Sequence, residues 1–378
     1  MMKCIDTLAE KDLRGKRVLL RSDFNVPLSA AGEVANAFRV ERGWATVRYL
    51  SERGARVIAV SHMGKSEETL APVGRALKRF GPIVFIPDIV GHVAKDAAAA
   101  MKEGEIALLE NLRNDPREKE NDEGFARELA ALADIYVNDA FAAAHRMHAS
   151  VVSVPKFLSH YAGLLMRDEV HTLNEARKPS HPSFAILGGA KFETKAPLIK
   201  ALLANYDHLF ITGALANDVF KAQGHEVGVS LISKELPDDE VLNSPHFVAP
   251  VDVTVERPDK QVRVKKPTEV LQDEKIVDIG PDSIAKIAPL IAESKYILWN
   301  GPTGIYEAGY TSYTHAIAEL VAKAVDGGAK CVIGGGDTIA AIQESGVSEE
   351  KLGFLSTGGG AMLEYLLKGT LPGIEALK

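Results

Sequence analysis

The sequence predicts an α/β protein of two domains, each a parallel β-sheet flanked by helices in the Rossmann-like manner, facing one another across a cleft. Three observations predict it. Short apolar runs alternate with amphipathic stretches along the whole chain, the pattern of βαβ units. At 378 residues the chain is longer than one hydrophobic core serves comfortably. The strand-like runs also form two sets, whose carboxyl ends are polar and basic in the first half and rich in glycine in the second.

Taken in order, the first-half strand candidates are RVLLRSDF (17–24), RVIAVSH (56–62), IVFIPD (83–88), EIALLEN (105–111) and IYVNDA (135–140). Helical stretches such as Arg39–Glu52 and Asp122–Leu132 lie between them. The second-half candidates are FAILGG (184–189), HLFITG (208–213), KIVDIG (275–280), YILWNG (296–301), KCVIGGG (330–336) and FLSTGG (354–359). Between the sets, Gly163 to Pro182 carries Leu165, Met166, Val170 and Leu173 at helical spacing and ends in a Pro-containing turn. It is the expected inter-domain connection. No repeat of fixed short period and no low-complexity tract interrupts the pattern.

Composition bounds the partners. With 46% apolar and 25% charged residues, nothing favours disorder. A net charge of -7 argues against nonspecific nucleic-acid binding, which needs many cations on one face. Cys4 and Cys331 lie far apart and form no CxxC pair, so neither a zinc site nor a disulfide framework is expected, and a reducing cytoplasm is the natural home. The opening stretch is charged and has no apolar h-region of a secretory signal. No run reaches the roughly 18 apolar residues of a membrane helix. The expectation is a soluble cytoplasmic protein with no nucleic-acid or membrane partner.

In open α/β sheets, ligands sit beyond the carboxyl ends of the strands. In the first half those ends carry Asp23-Phe24-Asn25, His62-Met63-Gly64-Lys65, Glu110-Asn111-Leu112-Arg113 and Asn138-Asp139, followed by the cluster His145-Arg146-Met147-His148. Arg39 opens the first helix. Several cations beside hydrogen-bonding Asp and Asn describe a pocket for a small, highly anionic, hydroxyl-bearing molecule, because a guanidinium fork matches carboxylate and phosphate.

The second half ends its strands in Gly188-Gly189-Ala190-Lys191, Thr212-Gly213-Ala214, Asn300-Gly301-Pro302, Gly334-Gly335-Gly336-Asp337 and Ser356-Thr357-Gly358-Gly359-Gly360. Glycine admits a flat base or a phosphate close to the main chain, and amides at the next helix N-terminus face the anion. Neither GxxxxGK[ST] nor GxGxxG is present. Lys191 and Lys195, four apart, share one face of a helix start and could both reach a polyphosphate. Asp337 is placed to hold the magnesium that such a ligand brings. Anion on one domain and nucleotide on the other imply phosphoryl transfer by alignment and charge neutralisation. Singly, each residue has an ordinary explanation. A lone Arg at a strand end is usually a solvated charge, a lone His a satisfied structural group, and a glycine triplet a turn. Their joint occurrence at successive strand ends outweighs those explanations.

RVLLRSDFNVPL (17–28), LLENLR (108–113), YVNDAFAAAHRMHAS (136–150), AILGGAK (185–191), LWNGPTGIYE (298–307), IGGGDT (333–338) and STGGGA (356–361) resemble phosphoglycerate kinase, in the family's order and over essentially the whole chain. The resemblance implies reversible phosphoryl transfer between 1,3-bisphosphoglycerate and MgADP, giving 3-phosphoglycerate and MgATP. By the same resemblance, Asp23 and Asn25 hydrogen-bond 3-phosphoglycerate. Arg39 approaches its carboxylate and the transferring group, and His62, Lys65, Arg113 and Arg146 complete the basic patch. Lys191 stabilises the moving phosphoryl and Lys195 contacts nucleotide phosphates. Gly213 lies beside adenine, Pro302 walls the adenosine pocket and Glu307 binds ribose. Gly335, Gly336 and Thr338 face the phosphates from a helix start, and Asp337 is the Mg2+ ligand. The family is usually monomeric, hinge-bending, and packs its C-terminal segment on the N-terminal domain. The expected division is 1–164 plus 362–378 for 3-phosphoglycerate, 165–182 as hinge, and 183–361 for nucleotide.

The chain departs from the family in places. SHMGKSEE stands for the usual SHLGRP, so Lys65 keeps the charge of an arginine without its fork, and a weaker grip on 3-phosphoglycerate is expected. Phe192-Glu193-Thr194, Thr212-Gly213-Ala214 and Ala142-Ala143 also differ. Two other readings stand beside the kinase. A dehydrogenase with glycine loops is disfavoured by the missing GxGxxG. A catalytically inactive relative kept as a binding protein would have lost Arg39, Lys191, Lys195 or Asp337, and all four are present.

Overall fold

The computed structural model describes residues 2–29, 31–64 and 68–378. The chain divides into two compact units, Met1–His171 with Thr370–Lys378, and Thr172–Gly369.

In the first unit, β1 (Arg17–Arg21), β2 (Arg56–Val60), β3 (Val84–Ile86), β4 (Ile106–Leu109), β5 (Ile135–Asn138) and β6 (Ser159–Ala162) form one six-stranded sheet in the order β3-β4-β2-β1-β5-β6. Every pairing in it is parallel. The interior strands are buried along almost their whole length and apolar in their middles, as expected of a parallel sheet covered on both faces, with Arg21 and Asn138 at the carboxyl ends of β1 and β5. Phe38, Val40, Trp44, Val47 and Leu50 give the Phe38–Glu52 helix a buried stripe at helical spacing. From that stripe Val40, Trp44, Val47 and Leu50 join Val18, Leu20, Val57 and Leu108 in one core. The chain leaves β1 toward β2 on one side and returns as β5 on the other, so the order reverses between β1 and β5. The tail closes this unit locally: the Gly373 amide donates to the Ala144 carbonyl at 2.8 Å.

The second unit holds β7 (Ser183–Leu187), β8 (His208–Ile211), β9 (Phe247–Val248), β10 (Val253–Glu256), β11 (Val262–Lys265), β12 (Lys275–Ile279), β13 (Tyr296–Asn300), β14 (Lys330–Gly334) and β15 (Phe354–Leu355). Six of these make a parallel sheet in the order β15-β14-β13-β7-β8-β9, whose order reverses between β7 and β13. The run 275–280, expected in that sheet, instead forms the edge of a separate three-stranded antiparallel sheet, β11-β10-β12. An apolar run gives the strand but not its partner. Here the partners are a hairpin whose outer strand is exposed, which left no apolar signal to read. Ala216, Phe220, Val253, Val255 and Ile276 form the cluster that holds this small sheet to the unit.

One close approach of main chain shapes the crevice at the β7/β13 reversal. Gly301 has φ +105°, and a Cβ there would lie 2.5 Å from the Gly188 main chain. Only glycine permits that packing. The helix Leu164–Ala176 contains the sequence boundary between the two units.

Candidate active site

In the first unit the loops after β1, β2 and β4 interlock through side-chain-to-main-chain bonds. Asn25 Oδ1 accepts from the Gly64 amide at 3.0 Å, tying the first loop to the second. Asn111 Oδ1 accepts from the amides of Met63 and Arg113 at 3.1 Å each, tying the second to the third. Arg113 donates to the Gly64 carbonyl. From the helix that follows β1, Arg39 Nη1 donates to the Asn25 carbonyl at 3.0 Å and lies 3.3 Å from Asp23 Oδ2. Asp23, Asn25, Arg39, His62, Arg113 and Arg146 are thereby gathered at one end of the sheet. Lys65 lies outside the described residues.

The charge there is unbalanced. Burial, then repulsion from Arg146 and Arg21, pushes the Arg113 guanidinium down from its ordinary value. Arg146 is pushed down by burial first and by Arg21 and Arg39, with Asp23 opposing. Guanidinium groups that stay charged while repelling one another in a half-buried site form a receptor for an anion. Two of the histidines, His62 and His148, add no cation near neutral pH. His148 is lowered to about 4 by burial and by Arg146, Arg21 and Arg113. His62 falls well below its ordinary value by burial and then Arg21, Arg113, Arg146 and His148.

In the second unit a cavity of about 370 Å³ opens at the β7/β13 reversal. Gly213, Pro302, Glu307 and Asp337 line it together with Phe220 and Leu231. It offers an apolar slot with carboxylates at the rim, the lining expected for a base and its sugar. Thr338 Oγ1, wholly buried, accepts from the Gly301 amide at 2.7 Å and fixes the helix Gly336–Gln343 against the loop after β13. Gly335 and Gly336 begin that helix, so its free amides and dipole face the same end of the cavity as Asp337. Lys195 lies on the first turn of the helix Phe192–Asn205, and burial lowers its ammonium. Lys191 precedes that helix with φ +66° and ψ +75°, a left-handed conformation that non-glycine residues seldom adopt.

Among the described residues no three His, Cys, Asp or Glu side chains gather into a metal cage. Asp337 alone offers a carboxylate at the helix start, accepting from the Tyr306 hydroxyl at 3.4 Å. One carboxylate beside the free amides of a helix start fits a magnesium ion that takes its other ligands from a bound phosphate and water.

Sequence reasoning missed several residues here. Arg21 stands at the end of an apolar strand and is wholly buried, a signal that was legible. Glu118 sits in the polar stretch NDPREKEND and gives no sign of its complete burial. Asp278 lines the nucleotide-sized cavity, and burial pushes it up to about 7.

Comparison with known proteins accords with this arrangement. The phosphoglycerate kinase family model matches residues 8–369. The phosphoglycerate kinase of Moorella thermoacetica is 42% identical, with 98% of each chain covered. That of Caulobacter vibrioides is 39% identical, covering 98% of this chain and 99% of its own. Among solved structures, phosphoglycerate kinase from Coxiella burnetii aligns with a TM-score of 0.82 at 35% identity, covering 100% of this chain and 98% of that one. The Pyrococcus horikoshii enzyme aligns at 0.86 and 28% identity, with the same coverage.

Proposed function

The chain belongs to the phosphoglycerate kinase family, and from that premise we propose how its residues divide the work of phosphoryl transfer. It is a phosphotransferase with a carboxyl group as acceptor, acting in glycolysis between 1,3-bisphosphoglycerate and ADP. No observation favours an inactive binding protein.

In the proposed division, Arg39, Arg113, Arg146 and Lys65 neutralise the anionic ends of 3-phosphoglycerate, while Asp23 and Asn25 orient its hydroxyl. Gly213, Pro302 and Glu307 hold the nucleoside, and Lys195, Thr338 and the amides of Gly335 and Gly336 hold its phosphates. Lys191 meets the phosphoryl group in flight. Mg2+, carried with the nucleotide at Asp337, supplies charge neutralisation when bound. Direct transfer needs donor and acceptor oxygens in line with water excluded. The connection 165–182 is proposed as the hinge between a 3-phosphoglycerate-binding and a nucleotide-binding part. The enzyme is proposed to work as a cytoplasmic monomer.

The observation that carries the reading is the gathering of Arg39, Arg113 and Arg146 with buried Arg21 around the carboxylate of Asp23, an excess of positive charge that a bound anion would relieve. Coupling the reverse reaction to glyceraldehyde-phosphate dehydrogenase tests it: 3-phosphoglycerate and ATP should drive NADH consumption. No signal with active coupling enzyme refutes the reading.

A further inference from the structure

His62 ends the second strand of the first unit and is 3% exposed. Its Nδ1 lies 3.1 Å from Arg21 Nη2 and 3.8 Å from Asp23 Oδ1. A guanidinium nitrogen can only donate, so Nδ1 must accept. The carboxylate at 3.8 Å is too far to hold a competing proton on that nitrogen. The ring's proton therefore belongs on Nε2, a buried atom with no hydrogen-bond partner among the described residues. Buried donors without partners are rare, and one at a ligand site points to the ligand.

Arg21 cannot relax away from this arrangement. It is wholly buried, with Nη1 donating to the Ser22 carbonyl at 2.6 Å and Nε to Ser150 Oγ at 2.9 Å. The Ser150 hydroxyl has one proton, given to Glu118 Oε1 at 2.6 Å, while the Ser150 amide donates to Oε2 at 2.9 Å. Ser150 must then offer Arg21 a lone pair. All the bonds run in one consistent direction, from Arg21 to Ser150 to Glu118 and from Arg21 to His62. Burial pushes the Glu118 carboxyl up, and Arg21 and the two Ser150 bonds pull against it.

We propose that Arg21, anchored through Ser150 to Glu118, is a positioning residue that fixes His62 as a neutral ring with its proton on Nε2. His62 then meets an acceptor oxygen of the substrate as a hydrogen-bond donor and not as a further cation. This rests on the reading that the first-unit site takes 3-phosphoglycerate. The groups facing the ring are Arg21, Asp23, Arg113, Arg146 and His148, and the four basic ones all oppose its protonation. The arrangement gives substrate grip that does not fade as pH rises through the ordinary histidine range of about 6.5.

The test is long-range 1H–15N correlation on the full chain with labelled histidine, across the pH range in which it stays folded. His62 should show the Nε2–H tautomer and no protonation near its ordinary value, and 3-phosphoglycerate should shift its Nε2 signal without proton uptake. Ser150→Ala removes the anchor while keeping both charges. It should mix the tautomers and raise KM for 3-phosphoglycerate about ten-fold, the worth of one charge-assisted bond, with KM for ATP unchanged. Ser150→Thr should restore both. Arg21→Lys, which loses the fork, should return His62 toward ordinary titration. An Nδ1–H or imidazolium form in the wild type at neutral pH overturns the inference, and so does a Ser150→Ala protein whose tautomer is unmoved. If the tautomer is as stated but 3-phosphoglycerate leaves His62 untouched, the substrate reading fails and the Arg21 anchor stands.

Discussion

Arg113 and Lys191 separate two kinds of contribution that a single residue can make. Arg113 sits in a site where like charges already repel, so its loss weakens binding of the anion more than it disturbs the fold. Arg113→Met should raise KM for 3-phosphoglycerate about ten- to hundred-fold, the range of a lost charge-assisted pair. Steady-state kinetics at fixed ionic strength measure it, and a KM within two-fold of wild type, on the order of 0.4 kcal/mol, would refute the role. Lys191 is exposed and left-handed in the free protein, so its interaction is expected to mature only as the phosphoryl group moves. Lys191→Ala should lower kcat about a hundred-fold or more while KM for ATP stays nearly constant. The reverse pattern, weak ATP binding with kcat intact, would overturn it. Lys65→Arg should lower KM for 3-phosphoglycerate by restoring a bidentate donor, and an unchanged or higher value counts against that reading.

At the scale of elements, the start of the helix Phe192–Asn205 shows how a strained residue is held. The Phe192 amide donates to Ser233 Oγ at 2.8 Å. Ser233 in turn gives its amide and its hydroxyl to the two oxygens of buried Asp218, at 2.7 Å each. The helix lacks a side-chain cap from Lys191 itself, so this distant serine satisfies its first free donor. Ser233→Ala should cost about 1 kcal/mol of stability and lower kcat several-fold with KM for 3-phosphoglycerate unaffected. Denaturant midpoints and kinetics together check it, and stability loss without any change in kcat would show the contact to be structural only. The interior parallel strands were legible as apolar runs because they are buried; the edge strands β6, a half-exposed SHYA, and β9, two residues long, were not. The β10–β11 hairpin was not legible either, since its outer strand β11 is exposed and its pairing with β12 is long-range.

For the whole molecule, buried carboxyls tie stability to pH. Asp139 is wholly buried, accepts from the Met166 amide at 3.1 Å, and is pushed up to about 7 by burial. Its unfolded value is near 3.8, so between about pH 4 and 7 the folded chain holds a proton that the unfolded chain has released. Stability from this group is therefore complete at low pH and declines as pH rises through that window. Asp139→Asn should flatten the decline, measured as the slope of unfolding free energy against pH. A slope identical to wild type would refute it. The sequence by itself determined the α/β class, the βαβ order, the basic first half and the glycine-lined second half, because strand ends and glycine turns are local chemistry. Only tertiary structure decided which charges survive. Whether Arg21 meets Ser150 across 129 positions, or Glu118 meets Ser150 across 32, depends on burial and on partners brought together by the sheet. Desolvation, which sets the protonation of His62 and Asp139, has no value until those partners are in place.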